Sequence, residues 1–154
     1  MNTFELKDQI VICSDCAATE ALGAALARAL PKGSVVGLYG NLGAGKTVLA
    51  RGFARGLGIV EPVSSPTYTI VQEYPLPDRT GYFYHLDLYR INGAASGLGF
   101  GVDEFLDEPD AYTLLEWPTQ IDGILPPGMI RVTICRRPDE SREVKLEFPK
   151  MTDK

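Results

Sequence analysis

The first pattern in this chain is an unbroken apolar run, Val35-Val36-Gly37-Leu38-Tyr39, between two segments of helical period. A short continuous run of this kind predicts a central strand covered on both faces. Before it, Leu22, Leu26 and Leu30 fall at i, i+4 and i+8 in an alanine-rich stretch, which is one stripe of a helix. Ser14 or Asp15 can cap the start of that helix, and Pro31-Lys32-Gly33 ends it. After the run, Leu49, Phe53 and Leu57 share one side of a second helix, with Arg51 and Arg55 on another. Gly56, Gly58 and Pro62 close it. Residues 3–12 alternate loosely around Ile10-Val11-Ile12 and predict an N-terminal strand.

Downstream, 69–74 and 82–88 read as strands joined by a turn with Pro75, Pro77, Asp78 and Gly81. Residues 112–116 are a further apolar run that ends in a carboxylate. Between them, 92–101 hold Gly93, Gly97, Gly99 and Gly101, the most flexible stretch on composition. A short acidic helix is expected over 102–106. Near the C-terminus, Ile130, Val132 and Ile134 alternate with Arg131, Thr133 and Cys135, and Val144, Leu146 and Phe148 with Glu143, Lys145 and Glu147. Period two means one wet face. The Pro138-Asp139-Glu140 turn between them predicts an antiparallel hairpin at a sheet edge, about 129–148. Strand and helix segments in this order, joined at residues 40–47 by the phosphate-loop pattern G-x-x-x-x-G-K-[ST], predict an α/β fold of the P-loop NTPase-like three-layer type. Its central sheet would be mostly parallel, with antiparallel edge strands. The 154 residues suit one domain, 1–154.

The segment joining the central strand to the second helix carries the chemistry. Gly40-Asn41-Leu42-Gly43-Ala44-Gly45-Lys46-Thr47 fits G-x-x-x-x-G-K-[ST] in full. Phosphate oxygens need many donors at close range, so backbone N–H groups must converge on the anion. Glycines permit that path and leave no side chain in the way. The helix opening at this point adds free N–H groups and the positive end of its dipole. Lys46 brings a compact positive charge to the β- and γ-phosphates, and Thr47 a hydroxyl for Mg²⁺. ATP is the expected nucleotide, because the N-K-x-D pattern that reads guanine is absent.

Hydrolysis also needs a carboxylate at a neighbouring strand end, to hold Mg²⁺ or its waters. Asp87 and Glu116 both close apolar strands, where open α/β sheets bind ligands. Ser64-Ser65-Pro66-Thr67-Tyr68-Thr69 is a hydroxyl-rich loop, and a loop threonine such as Thr67 can sense a γ-phosphate through Mg²⁺. His85, the only histidine, lies among aromatic strand residues and reads as packed and hydrogen-bonded rather than catalytic. Arg131, Arg136, Arg137, Arg142 and Lys145 can contact a phosphate, or simply solvate the hairpin. Cys13 and Cys16 have C-x-x-C spacing but read as two small buried thiols beside a helix. Zinc is disfavoured because only Cys135 and His85 remain as usual partners.

Charge narrows the partners. Fifteen basic against twenty acidic residues leave −5, so a free-standing nucleic-acid binder with a broad basic face is not expected. No apolar run is long enough to span a bilayer, and no basic stretch precedes an apolar one at the N-terminus. The expectation is a cytoplasmic protein without membrane contact.

Five blocks carry a family resemblance: Tyr39 to Thr47, Arg51-Gly52-Phe53, Ser65-Pro66-Thr67-Tyr68-Thr69-Ile70-Val71, His85-Leu86-Asp87-Leu88-Tyr89-Arg90 and Leu115-Glu116-Trp117-Pro118. Together they resemble the TsaE family, bacterial ATPases that support synthesis of threonylcarbamoyladenosine on tRNA. The P-loop is widely shared, whereas the S-P-T-Y-T and D-L-Y-R blocks in this order are far more specific. The resemblance implies an ATPase of low intrinsic turnover with two partners, the subunit that transfers threonylcarbamoyl to adenosine in tRNA and its inactive scaffold paralogue. tRNA would be met only through that complex. Residue by residue, it implies that Lys46 binds phosphate and that Thr47 with Glu116 holds Mg²⁺. Asp87 and Thr67 would act near the γ-phosphate, Trp117 would support the site, and Asp15 would lie near the base. Val48 stands where many relatives carry a second threonine, and Asn92 to Gly97 replaces an acidic D-P-E-E-like segment. The alternatives are a small-molecule P-loop kinase and a nucleotide-gated assembly protein.

Overall fold

A computed structural model of the chain describes residues 4–41, 44–63, 70–91 and 93–149. Its elements follow in the order β1 (Gln9–Cys13), α1 (Cys16–Ala29), β2 (Val35–Tyr39), α2 (Lys46–Gly56), β3 (Val71–Pro75), β4 (Tyr82–Asp87), α3 (Gly93–Gly99), α4 (Val102–Leu106), β5 (Ala111–Glu116), a 3₁₀ segment (Pro118–Ile124), β6 (Ile130–Arg136) and β7 (Arg142–Glu147). Among the described residues the strands form one seven-stranded sheet, ordered β1-β7-β6-β2-β5-β4-β3. Strands β6, β2, β5 and β4 run parallel, while β1, β7 and β3 pair antiparallel at the two sides. This is the expected α/β arrangement, with β2 in the middle.

Strand alternation divides the core into two layers. Val36, Leu38, Phe83, Leu114, Val132 and Ile134 pack with Leu22, Leu26, Leu49 and Phe53 of α1 and α2. On the other face, Val35, Tyr84, Leu86 and Leu115 pack with Val102 and Leu106 of α4 and Ile121 of the 3₁₀ segment. Helices α1 and α2 touch through backbone. A Cβ on Gly52 would lie 2.0 Å from the Glu20 carbonyl oxygen, and one on Gly23 would lie 2.3 Å from that of Leu49. The Arg51-Gly52-Phe53 block thus has a packing reason, since only a hydrogen at position 52 permits this approach.

Two expectations change. The C-terminal hairpin forms over β6 and β7 with its dry face on Ile130, Val132, Ile134, Val144 and Leu146, but it is not the sheet edge. Strand β1 pairs along β7, from Gln9 opposite Leu146 to Cys13 opposite Arg142, and takes the edge position. The glycine-rich stretch is helical, as α3. Gly97 lies against the 3₁₀ segment, where a Cβ would come within 2.9 Å of Ile121 Cγ2, so there glycine serves close packing. No helix of the described residues is long and apolar enough to cross a membrane.

Candidate nucleotide site

The parallel centre of the sheet brings three strand ends together. Leu38, two residues before Gly40, pairs with Glu116, and Glu116 pairs with Asp87. The two carboxylates that close β5 and β4 therefore stand beside the loop that leaves β2. Alternation places His85, Asp87 and Glu116 on the face of Phe83 and Leu114, toward α1 and α2.

The loop turns on glycine backbone. Gly40 has φ +149° and Gly45 φ +112°, both outside the range comfortable for residues with a Cβ. Gly45 is the N-cap of α2 and offers no side-chain cap to the first turn. The amides of a helix N-terminus then face outward with the positive dipole end. Lys46, the first residue of α2, is 5% exposed. Its Nζ donates to the Gly40 carbonyl at 2.6 Å and lies 3.8 Å from the centre of the Trp117 ring. Burial pushes this ammonium below the usual lysine range, opposed by the carboxylates of Glu116 and Asp87.

The carboxylates differ. Glu116 is buried, and its Oε2 lies 2.7 Å from His85 Nε2. Asp87 is half-buried and accepts the Tyr89 amide at 3.1 Å. Burial pushes the Asp87 carboxyl above its ordinary range; the Tyr89 hydrogen bond opposes this, and the Glu116 charge adds to the rise. Trp117 has φ +62° and ψ +49°, a strained conformation for a bulky residue. It is held between Lys46 and the Tyr89 ring, whose centroid is 4.9 Å away.

A buried ammonium, an uncapped helix start and a glycine backbone fit a polyphosphate. The Thr47 hydroxyl and the Glu116 carboxylate are hard oxygen donors that suit Mg²⁺. Among the described residues no group of three or more His, Cys, Asp and Glu side chains could hold a metal, so a cation here would draw its other oxygens from nucleotide and water.

Of the residues singled out from sequence, the structure brings Gly40, Ala44, Gly45, Lys46, Thr47, Asp87, Glu116 and Trp117 to one end of the sheet, and Asn41 continues the loop. Leu42, Gly43 and Thr67, with the rest of the 64–69 loop, lie outside the described residues. Asp15 is the N-cap of α1, its Oδ1 accepting the Ala18 amide at 2.8 Å. Cys13 is buried, and burial pushes its thiol up. Cys16 is exposed rather than buried, because it is the first residue of α1.

Arg142 was only one of five basic residues in the hairpin, and the structure separates it from the others. Its Nε donates to the Ala44 carbonyl at 2.7 Å and its Nη1 to the Glu140 carbonyl at 2.7 Å. It ties the P-loop to the β6–β7 turn across 98 residues, a separation that no local pattern reveals.

A glycine-lined strand-to-helix loop, with a buried lysine and two strand-end carboxylates on a mostly parallel sheet, defines a P-loop nucleotide-binding protein. Comparison with known proteins narrows this. Residues 13–144 match the model of the family described as threonylcarbamoyl adenosine biosynthesis protein TsaE. The chain is 39% identical over 126 residues to the tRNA threonylcarbamoyladenosine biosynthesis protein TsaE of Bacillus subtilis, covering 82% of this chain and 77% of that one. It is 43% identical over 111 residues to the protein of the same name from Synechocystis, covering 70% and 68%. Its fold is similar to the crystal structure of Bacillus subtilis YdiB, with TM-score 0.75, 30% identity, and coverage of 96% of this chain and 89% of that one. The chain belongs to the TsaE family, whose members take part in tRNA threonylcarbamoyladenosine biosynthesis.

Proposed function

We propose that this protein binds and hydrolyses ATP with Mg²⁺ in support of threonylcarbamoyladenosine formation on tRNA. It turns over slowly alone and faster with its partners, the threonylcarbamoyl transferase subunit and that subunit's scaffold paralogue. It works in the cytoplasm and meets tRNA only through that complex. The observation that carries the reading is the convergence of the Lys46 ammonium, Glu116 and Asp87 on one end of the sheet.

Each residue has a task in this reading. The amides from Gly40 to Thr47 and the Lys46 ammonium hold the phosphates. Thr47 and Glu116 supply the protein ligands of Mg²⁺, which when bound neutralises charge developing on the β- and γ-phosphates. Asp87, beside Glu116, orients the attacking water with Thr67. Trp117 packs on the Lys46 ammonium and limits its directions. Asp15, at the cap of α1, lies toward the base.

ATP turnover measured with and without the two partners and tRNA tests the proposal. The rate should rise well above that of the isolated protein on mixing. An unchanged rate, or transfer of ³²P to a small acceptor without phosphate release, would overturn it.

A further inference from the structure

One polar group at the strand ends has no part in the chemistry above. His85 is 0% exposed, and its Nε2 lies 2.7 Å from Glu116 Oε2. An ionised carboxylate only accepts, so Nε2 carries the shared hydrogen. Nδ1 is buried and has no hydrogen-bond partner among the described residues. The ring stacks on Phe83 with centroids 6.3 Å apart and planes 12° apart. Its register partners on the flanking strands are Gln72 and Leu114. Glu116 is two residues beyond Leu114 on β5, so the bond to His85 runs diagonally between two parallel strands.

Stability alone does not explain this pair. Desolvating a carboxylate and an imidazole opposes their attraction, and an unpaired buried nitrogen adds a further penalty. An apolar ring stacked on Phe83 would spare the imidazole's desolvation and the unpaired nitrogen, but it would take this donor from the buried Glu116 carboxylate. What imidazole adds is a donor held against one oxygen of Glu116. Holding that oxygen restricts rotation of the carboxylate, and with it the directions in which Glu116 can meet a cation.

We propose that His85 is a positioning residue for Glu116, orienting its carboxylate toward the divalent cation of the bound nucleotide. The proposal rests on the reading of Glu116 as a metal ligand. Ligating carboxylates are themselves commonly hydrogen-bonded, and losing such an outer partner typically lowers metal affinity 10–100-fold.

Calorimetric binding of ADP across a Mg²⁺ titration, and in EDTA, tests this. In His85→Phe the Mg²⁺ concentration for half-maximal effect should rise roughly ten- to a hundredfold, while affinity in EDTA stays the same. His85→Gln, whose amide can donate to Oε2, should recover most of the loss. The shorter His85→Asn should not, and this pair decides the matter should His85→Phe fail to fold. An unaltered Mg²⁺ requirement in the Asn variant, or in a folded Phe variant, would overturn the proposal. So would an equal loss of affinity in EDTA, which marks general packing damage. Glu116→Gln separates the two readings. If it leaves the Mg²⁺ requirement unchanged, Glu116 is not a metal ligand and the role of His85 falls with it. If it raises the requirement and His85→Phe does not, only the role of His85 falls.

Discussion

The ammonium of Lys46 rests on the face of Trp117, with Nζ 3.8 Å from the ring centre. Such a contact is worth about 0.5–2 kcal/mol, more when desolvated, and here it joins the first residue of α2 to the residue that follows β5. Trp117 is the only tryptophan in the chain, so it reports on the site alone. Nucleotide that draws Lys46 toward phosphate should change its emission. Lys46→Ala should remove that change at moderate nucleotide concentration and weaken binding ten- to a hundredfold, given about 1.5–3 kcal/mol for a charged hydrogen bond. Constant emission at saturating nucleotide would show that the ring does not face the bound phosphates.

Asp87 titrates against stability in a definite direction. Its folded carboxyl is raised from 3.8, so between 3.8 and the folded value the native state holds more protons than the unfolded one. Stability therefore falls as pH rises through that window, and the cost of the buried charge stays in full at neutral pH. Asp87→Asn removes the charge and can still accept the Tyr89 amide. Its Tm at pH 7 should exceed that of the unaltered protein, and the gain should shrink as pH falls toward 3.8. A gain independent of pH would assign the effect to something other than the charge.

Arg142, at the start of β7, braces the P-loop through Ala44. Arg142→Ala removes two charge-assisted bonds to carbonyls, each worth about 1.5–3 kcal/mol. Nucleotide affinity should fall about tenfold or more, because the loop amides lose their fixed path. Affinity within twofold of the unaltered protein, measured by calorimetry, would limit Arg142 to holding the turn.

Gly52 has no room for a methyl group. Its Cβ would sit 2.0 Å from the Glu20 carbonyl oxygen, so Gly52→Ala must push α1 away from α2. Overpacking of this kind costs about 1–3 kcal/mol or more, which lowers Tm by several degrees in a domain of this size. Helix propensity alone favours alanine, so an unchanged or higher Tm would mean that the two helices do not touch here.

Much of this architecture was legible in local pattern. The run at 35–39 implied a strand covered on both sides, and β2 has that position. The spacing of Leu22, Leu26 and Leu30 implied α1, and period two from Ile130 implied β6. These signals are local because each element buries a periodic face. The helical fold of 93–99 was not legible, since glycine disfavours helix wherever packing does not decide. There Gly97 packs against Ile121 of the 3₁₀ segment, a tertiary contact that local pattern does not contain. Nor could the hairpin be seen to lie inside the edge, because the pairing of β1 with β7 joins the two ends of the chain.

The order of residues by itself determined the anion loop, because Gly40, Gly45, Lys46 and Thr47 are contiguous and a phosphate cradle is a local backbone shape. It also determined which carboxylates end strands. Only the tertiary structure decided that Asp87 and Glu116 are register partners beside that loop, that His85 holds Glu116, and that Arg142 reaches Ala44. Those relationships depend on strand order and parallel register. Strand order is set by the packing of whole faces against one another, which no short window of sequence contains.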